Sequence, residues 1–312
     1  MKSILKPKAL FPGATIGIIS PASPQRDPKR LERGIAYLES KGFNVVLAPH
    51  ALDSWGGYLA GTDNDRKNDI ESMFSDKTID AIFCARGGYG TTRILKELDY
   101  SIIQSNPKIF VGFSDTTALQ CALFEKIGLI TFSGAMPSVD FADAIDSLTE
   151  KSFWSMLMHD CNGTLLQDEA PHILVEGKSE GRLICGNLCL LATLCGSEYF
   201  PTIQNGILLA EDIGEEPYRI DRYLSQLHLS GHLERMNGLL FGDFTPPSSP
   251  AASVPQRPYN EVIQEYAKLA SKPSMSNLIY GHINRKLTLP FGISISMDTS
   301  TSTIRFTESQ FS

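Results

Sequence analysis

A serine lies where the sequence predicts that a strand gives way to a helix, in Val111-Gly112-Phe113-Ser114-Asp115-Thr116. A sharp turn there exposes the Ser114 hydroxyl and aims the free amides of the helix N-terminus at the same spot. Nucleophilic catalysis needs both, because preplaced donors stabilise the oxyanion that develops in the transition state. Ser114 or Asp115 could equally be an N-cap, and the GxSxG pattern of hydrolases is not matched, since Thr116 replaces its second glycine.

A glycine-rich turn, Arg86-Gly87-Gly88-Tyr89-Gly90, follows another predicted strand. Its spacing matches neither the dinucleotide-binding fingerprint nor the phosphate-binding P-loop. Glycine allows the backbone to come close to another group. The turn is therefore either a ligand-binding loop or a plain connection from strand to helix.

A nucleophilic serine needs a base, and His282 stands out among six histidines because it follows Gly281 after a predicted strand. His228 and His232 have i,i+4 spacing, but no glutamate follows His228 as it does in a metalloprotease helix. Glu211 ends an apolar run, and an acid emerging from a buried strand commonly has a partner. Taken singly, His282 and Glu211 are each also compatible with a structural role.

The six cysteines indicate neither a disulfide framework nor a metal site. Most lie in apolar stretches, which is typical of buried free thiols. Cys185, Cys189 and Cys195 are close in sequence, but they form no CxxC pair and have no histidine nearby. This pattern argues against bound zinc.

Alternating strand and helix patterns fill the first 135 residues and must position these groups. Strands separated by helices are predicted at 15–19, 43–47, 79–84, 108–113 and 130–132. This alternation predicts an α/β fold with a doubly wound parallel sheet, whose ligands bind beyond the carboxyl ends of the strands. Three segments are expected to lie side by side there: 20–24, 86–90 and 112–116.

The rest of the chain has a weaker and then a mixed pattern. A helix and a polar stretch fill residues 140–178, and further strands are predicted at 206–210, 237–244 and 277–283. We therefore predict an N-terminal domain over 1–145, a linker over 146–178, and a smaller C-terminal mixed α+β domain over 179–312.

The overall composition excludes several classes of protein. Hydrophobic residues make up 42% of the 312 residues and charged residues 20%, as in an ordinary globular chain. The net charge of −7 argues against nucleic acid as a partner. No apolar run is long enough to span a membrane, and no apolar segment of a secretory signal follows the N-terminal lysines. We expect a cytoplasmic protein.

Taken together, the motifs resemble one family, the LD-carboxypeptidases. They occur in the family's order: Gly17-Ile18-Ile19-Ser20-Pro21-Ala22-Ser23, Arg86 to Gly90, Gly112 to Asp115, Leu208 to Arg222, and Gly281-His282 with Leu289-Pro290-Phe291-Gly292. The resemblance runs from about Pro12 to Ser296. It implies a flavodoxin-like N-terminal domain, a smaller C-terminal domain and an active site between them.

The resemblance also implies the roles of individual residues. Carried over by position, Ser114 is the nucleophile, His282 the general base and Glu211 the group that orients the imidazole. The oxyanion hole maps onto the backbone amides of Gly88 and Asp115. Arg86 is our own candidate for binding the terminal carboxylate of the substrate.

No metal or cofactor is implied by the resemblance, and a homodimer is expected. Two positions depart from the commoner family pattern: Cys185, where glycine is usual, and Ala135, where proline is frequent. Both lie outside the implied triad, so they bear on the detail of the substrate pocket.

The implied function is a serine carboxypeptidase that releases the C-terminal D-alanine of murein tetrapeptides during cell-wall recycling. One alternative is a microcin-type immunity peptidase that cleaves peptidyl-nucleotides. Such relatives tend to carry extra sequence between nucleophile and acid, whereas the interval from Ser114 to Glu211 is compact. A second alternative is a muropeptide-binding protein without catalytic activity.

Overall fold

The chain divides into two units in a computed structural model that describes residues 3–161, 163–165, 170–202, 204–248 and 256–312. Unit 1 contains the chain up to Asp160 together with Leu287–Phe291 and Gln310–Ser312. Unit 2 contains Cys161–Lys286 and Gly292–Ser309. Each unit is built around its own sheet.

In the described part of unit 1 the sheet has six strands. Five come from the N-terminal half and the sixth from the later segment: β1 (Thr15–Ile19), β2 (Asn44–Leu47), β3 (Ala81–Cys84), β4 (Ile109–Gly112), β5 (Thr131–Ser133) and β12 (Leu289–Phe291). The spatial order is β12-β5-β4-β3-β1-β2, parallel except for β12. The order 2-1-3-4-5 is that of flavodoxin-like folds, so the predicted doubly wound fold is confirmed.

The helices of unit 1 connect these strands. They are α1 (Pro28–Ser40), α2 (Asp63–Ser75), α3 (Thr91–Ile94), α4 (Tyr100–Gln104), α5 (Thr117–Ile127) and α6 (Ser147–Met158). Local sequence explains where two of them begin. Asp27 caps α1, with proline in its first turn, and a capping box between Thr62 and Asp65 starts α2.

Unit 2 contains a mixed sheet, for which the described residues supply eight strands: β6 (Gly163–Thr164), β7 (His172–Val175), β8 (Lys178–Asn187), β9 (Ile207–Ile213), β10 (Gly238–Thr245), β11 (Ser274–Ser276), β13 (Ser294–Asp298) and β14 (Thr303–Phe306). Their order is β6-β14-β13-β8-β9-β10-β11-β7. The central strands β8 to β11 are parallel, and antiparallel strands flank them on both sides. The C-terminal region is thus the predicted mixed α+β domain.

Unit 2 also carries four helices in its described residues: α7 (Leu188–Leu194), α8 (Pro217–Leu229), α9 (His232–Arg235) and α10 (Tyr259–Ala270). Residues 146–178, which the sequence predicts as a linker, contain α6 of unit 1 and strands β6 and β7 of unit 2. Part of that segment, residues 162 and 166–169, lies outside the described residues. Among the residues described, no helix combines the length and apolar character that crossing a membrane requires.

Candidate active site

Ser114 lies at a strained turn at the carboxyl end of β4. Its backbone φ is 65°, in the left-handed region that non-glycine residues rarely adopt. A single 3-10 turn, Ser114–Thr116, leads directly into α5, and an added Cβ at Gly112 would lie 2.3 Å from Thr116 Oγ1. No side-chain capping hydrogen bond starts either helix, so the N-cap interpretation of Ser114 and Asp115 is wrong. Strain of this kind is typical of functional positions.

The glycine-rich loop after β3 packs directly against Ser114. A Cβ added to Gly87 would lie 2.8 Å from Ser114 Cβ and 3.1 Å from its Oγ. Gly88 has φ 123°, and Ser23 Oγ holds the loop by accepting from the Tyr89 amide at 3.1 Å. The loops that follow β1, β3 and β4 therefore meet at the carboxyl edge of the sheet, which confirms the expectation from the sequence.

Asp115 ties the turn to the start of α3. Its buried carboxylate accepts a hydrogen bond from the Thr91 amide at 2.9 Å, and its carbonyl accepts one from Thr91 Oγ1 at 2.6 Å. Burial raises the pKa of the Asp115 carboxyl group, against the hydrogen bonds from Thr91 that lower it. With its side chain held in this way, Asp115 has its backbone beside Ser114, where the oxyanion hole is expected.

Two arginines of unit 1 approach the same loops. Arg66 is almost completely buried, and its Nη1 donates to the carbonyls of Pro21 at 2.6 Å and Gly90 at 2.8 Å. It therefore fixes the loops after β1 and β3. Arg86 donates weakly to the carbonyls of Gly87 and Pro24, each at 3.3 Å.

Glu211 and His282 form a hydrogen-bonded pair in unit 2. His282 Nδ1 lies 2.7 Å from Glu211 Oε2, and the Glu211 side chain is fully buried whereas 18% of the His282 side chain is exposed. A carboxylate can only accept, so Nδ1 carries the proton and Nε2 is the basic nitrogen. This is the arrangement that orients a histidine for proton transfer.

Two glycines, Gly242 within β10 and Gly281 directly before His282, allow His282 to come close to Glu211. A Cβ on Gly242 would lie 2.1 Å from the Tyr280 carbonyl and 3.4 Å from Glu211 Cβ. Gly281 has φ 152°, and a Cβ there would lie 2.9 Å from Asp243 Cβ. The segment that carries His282 therefore packs closely against β10, because neither glycine has a side chain that would keep the two backbones apart.

Asn187 and Asp212 also surround Glu211, and sequence reasoning missed both. Asn187 is the β8 residue in register with Glu211, and its Nδ2 donates to Asp212 Oδ1 at 2.8 Å and approaches Glu211 Oε1 at 3.5 Å. Burial raises the pKa of Asp212 from 3.8 to about 6. The signal available was the strand-to-helix junction after β8, where Asn187 is the N-cap of α7.

Cys185 and Ala135, the two positions that depart from the commoner family pattern, are both buried. Cys185 is buried in β8, and burial raises its thiol pKa to about 12. Ala135, after β5, is also fully buried. Within the described ranges, no three histidine, cysteine, aspartate or glutamate residues are grouped so as to hold a metal ion.

Comparison with known proteins covers both units. Residues 16–134 match the LD-carboxypeptidase N-terminal domain, and residues 180–297 match the LD-carboxypeptidase C-terminal domain. The chain is 39% identical over 300 residues to a probable murein peptide carboxypeptidase of Bacillus subtilis, covering 96% of this chain and 93% of the other.

The chain is also similar to an immunity protein and to a second carboxypeptidase. The chain is 32% identical over 330 residues to the microcin C7 self-immunity protein of Escherichia coli, covering 96% of this chain and 95% of the other. It also superposes on the crystal structure of muramoyltetrapeptide carboxypeptidase from Oxalobacter formigenes with a TM-score of 0.81 and 31% identity, covering 93% and 97% of the two chains.

Proposed function

Since the chain belongs to the LD-carboxypeptidase family of enzymes, we propose that it is a serine carboxypeptidase acting on murein tetrapeptides. It hydrolyses the L,D-peptide bond that joins the C-terminal D-alanine, using Ser114, His282 and Glu211 as a triad. The observation that carries this proposal is the 2.7 Å pairing of the buried Glu211 carboxylate with His282 Nδ1. Support for Ser114 as the nucleophile comes from its strained turn.

In the first step His282 Nε2 takes the proton of Ser114 as Oγ attacks the scissile carbonyl carbon. Glu211 stabilises the imidazolium that results, because its charge is buried beside Nδ1. The oxyanion is bound by the amides of Gly88 and Asp115. Loss of one such donor typically raises a barrier by about 3 kcal/mol.

In the second step the carbon–nitrogen bond breaks and His282 gives its proton to the leaving D-alanine. Water, deprotonated by His282, then attacks the acyl-Ser114 ester, and the tripeptide leaves as His282 returns the proton to Ser114. Arg86 binds the terminal carboxylate of the leaving residue. No step uses a metal or a cofactor.

The pattern of insertions favours murein peptides over peptidyl-nucleotides. About 300 residues of this chain align with the B. subtilis carboxypeptidase over 300 positions, nearly without gaps. About the same number align with the microcin self-immunity protein over 330 positions, so about 30 positions of that alignment have no counterpart here. The immunity protein thus carries about 30 residues that have no counterpart in this chain, whereas the B. subtilis carboxypeptidase matches it nearly throughout.

Two further features of the proposal rest on the resemblance to the family. We place the activity in the cytoplasm, where murein peptides are recycled, and we expect a homodimer. Light scattering coupled to size-exclusion chromatography tests the second point directly, and a mass of one chain would contradict it.

The decisive experiment is mass spectrometry of the tetrapeptide L-Ala-γ-D-Glu-diaminopimelate-D-Ala after incubation with the protein. We expect loss of one D-alanine, and a kcat about 10⁶-fold lower for Ser114→Ala. Ser105→Ala is the matched control and should keep full activity, because Ser105 is an exposed serine whose hydroxyl donates to the Ser101 carbonyl at 2.8 Å.

Each other outcome has a distinct meaning. Activity retained by Ser114→Ala would contradict the nucleophile. Cleavage of a peptidyl-nucleotide without cleavage of the tetrapeptide would favour the immunity function. Tight binding of the tetrapeptide without cleavage of either compound would favour a binding protein.

A further inference from the structure

A small cavity in unit 1 is lined by three arginines. Its volume is about 230 Å³, and its walls come from the loops after β1, β3 and β5 and from the start of α1. Arg26, Arg30 and Arg86 line it together with Gln25, Asp27, Ser138 and Val139, and the Asp27 carboxylate caps α1 by accepting from the Lys29 amide at 3.1 Å. Pockets that enclose a whole drug-sized ligand measure roughly 300–1,000 Å³, so this one suits a small end group of a larger molecule.

One of the three arginines is fixed as part of the wall. Arg30 Nε donates to the Ser138 carbonyl at 2.9 Å, and its Nη2 donates to the Val139 carbonyl at 3.0 Å. The same Nη2 forms an ion pair with Asp143 at 2.6 Å. The charge of Arg30 is therefore partly neutralised.

The other two arginines have no carboxylate partner among the described residues. Arg86 is half-buried, and its two hydrogen bonds, each 3.3 Å long, go to neutral carbonyls. Arg26 is exposed and forms no hydrogen bond or ion pair within the part of the chain that the structure describes. Arg26 and Arg86 thus face one cavity without an ion pair among the described residues, although the Asp27 carboxylate also lines it.

This arrangement suits the binding of an anion. Burial lowers the pKa of Arg86, and the neighbouring charges of Arg26 and Arg30 lower it further. The carboxylate in the lining, that of Asp27, caps α1 and forms no ion pair with Arg86, although a half-buried cation gains from a paired charge. A guanidinium is also the group that best matches the planar geometry of a carboxylate.

One residue of the cavity wall is next in the chain to a residue that packs against Ser114. Arg86 precedes Gly87, whose ideal Cβ position is 3.1 Å from Ser114 Oγ. In a substrate that loses its C-terminal residue, only the amide nitrogen and one Cα separate the scissile carbonyl carbon from the carbon of the terminal carboxylate. Arg86 is therefore the sequence neighbour of a residue that packs against Ser114, as an arginine that binds the residue after the scissile bond needs to be.

We propose that Arg26 and Arg86 together bind the terminal carboxylate of the leaving residue in this cavity, with Arg30 fixing its wall. This inference rests on the proposed function and extends it. Arg26 is a specificity-determining residue, and the pair restricts the enzyme to substrates that end at the residue after the scissile bond. Peptides that continue, or that end in an amide, lose both charged contacts.

The test compares the murein tetrapeptide with its C-terminal amide, using the parent protein and the variants Arg26→Gln and Arg86→Gln. Charged hydrogen bonds of this kind are typically worth about 10- to 100-fold in binding. We expect the parent to prefer the acid, and each variant to reduce the acid-to-amide ratio of kcat/KM by about 10- to 100-fold. The loss should lie mainly in KM, because the carboxylate takes no part in bond breaking.

Lys29→Gln is the matched control, because Lys29 is an exposed cation at the start of α1 that does not line the cavity. It should leave the acid-to-amide ratio unchanged within about twofold, as expected for a screened surface charge. Equal rates for acid and amide in the parent, or the same ratio in all four proteins, would overturn the inference while leaving the proposed function intact.

A binding measurement separates the inference from the reaction. Binding of N-acetyl-D-alanine, followed by NMR titration, needs no turnover and applies even if the tetrapeptide is not hydrolysed. We expect Arg26→Gln and Arg86→Gln to weaken this binding by at least about tenfold and Lys29→Gln to leave it unchanged. Equal affinity for the parent and both arginine variants would overturn the assignment of the cavity.

Discussion

Two adjacent acids on β9 have different surroundings, and only one of them contacts a histidine. Glu211 accepts from His282 Nδ1, whereas the Asp212 carboxylate accepts from the amides of Cys189 and Ile213 at 2.9 and 2.8 Å. Asn187 lies between the two acids. The charge of Glu211 is therefore available to an imidazolium, while that of Asp212 is used to hold the start of α7.

We predict that Glu211→Gln lowers kcat strongly. Glutamine keeps the size of the side chain but removes the charge and can offer an N–H to Nδ1, which favours the wrong tautomer of His282. By analogy with the Asp→Asn change in a serine protease triad, kcat should fall by about 10⁴-fold with little change in KM. Release of D-alanine from the tetrapeptide measures both constants.

Glu308→Gln is the control for this prediction. Glu308 is a carboxylate of the same unit in an ion pair with Arg182 at 2.9 Å. Its replacement should leave kcat unchanged, with the fold checked by circular dichroism in both variants. A kcat within tenfold of the parent for Glu211→Gln would contradict the role of Glu211.

The sequence locates some of these residues better than others. Ser114 and Glu211 each end an apolar strand pattern, and a local signal of this kind can be read from one segment. Asn187 and Ser23 act through partners far along the chain, Glu211 and Tyr89. Those contacts depend on the register of β8 against β9 and on the meeting of two loops, which no local pattern encodes.

Among the elements, α5 links the nucleophile turn at one end to a tight glycine cap at the other. Gly128 ends α5 with φ 72°, and a Cβ there would lie 2.3 Å from the Ser3 carbonyl oxygen. Gly42, which follows α1, has φ 89°, but a Cβ there would meet nothing within 4 Å. A side chain at Gly42 would therefore cause backbone strain alone, whereas one at Gly128 would cause both strain and a steric clash.

We predict that Gly128→Ala destabilises the protein more than Gly42→Ala. Strain in the left-handed region costs roughly 1–2 kcal/mol at both positions. The clash with Ser3 adds about 1–3 kcal/mol at Gly128 alone, because backbone must move. Urea unfolding of the two variants measures the difference, and equal losses of free energy would contradict the clash.

Comparison of the elements shows where sequence patterns succeed and fail. The sequence pattern predicts a helix over 62–74 with Thr62 as its N-cap, and α2 runs from Asp63 to Ser75 with that cap. The strand predicted over 277–283 is wrong, because β11 ends at Ser276. Asn277 has φ 63°, and the Tyr280 amide donates to the Leu278 carbonyl, so the apolar residues form a tight turn.

The same limit applies at the start of α7. The apolar run over 186–194 predicts a helix from Gly186, but Gly186 and Asn187 are the last residues of β8. An apolar run is compatible with both a buried strand and a buried helix, so periodicity alone does not separate them. The parallel pairing of β8 with β9 decides the outcome, and it is a tertiary interaction.

At the level of the whole molecule, the buried acid Asp212 and the surface acids make contributions of opposite sign to the pH dependence of stability. Most of the carboxyl groups with a lowered pKa are stabilised by partners at the surface; Asp298, beside Lys178, has its pKa lowered to about 2. Such a group stabilises the folded state above its ordinary pKa of 3.8. Asp212, with its pKa raised to about 6, does the reverse.

The sign for Asp212 follows from proton binding. Between pH 3.8 and about 6 the folded state holds more protons on Asp212 than the unfolded state, so the free energy of unfolding falls as pH rises through this window. The whole loss, about 3 kcal/mol at 1.36 kcal/mol per pKa unit, is present at pH 7. Asp212→Asn removes the charge, and with it this loss in the free energy of unfolding.

We therefore predict that Asp212→Asn gains stability relative to the parent as pH rises from 4 to 7, by up to about 3 kcal/mol. Urea unfolding of both proteins at the two pH values gives this difference. Asp298→Asn serves as the control: it should be less stable than the parent by nearly the same amount at both, because its titration window lies between about 2 and 3.8. If the Asp212→Asn difference were also independent of pH, the pKa of the Asp212 carboxyl group would not be raised in the folded protein. That result would mean that water reaches this carboxylate in solution.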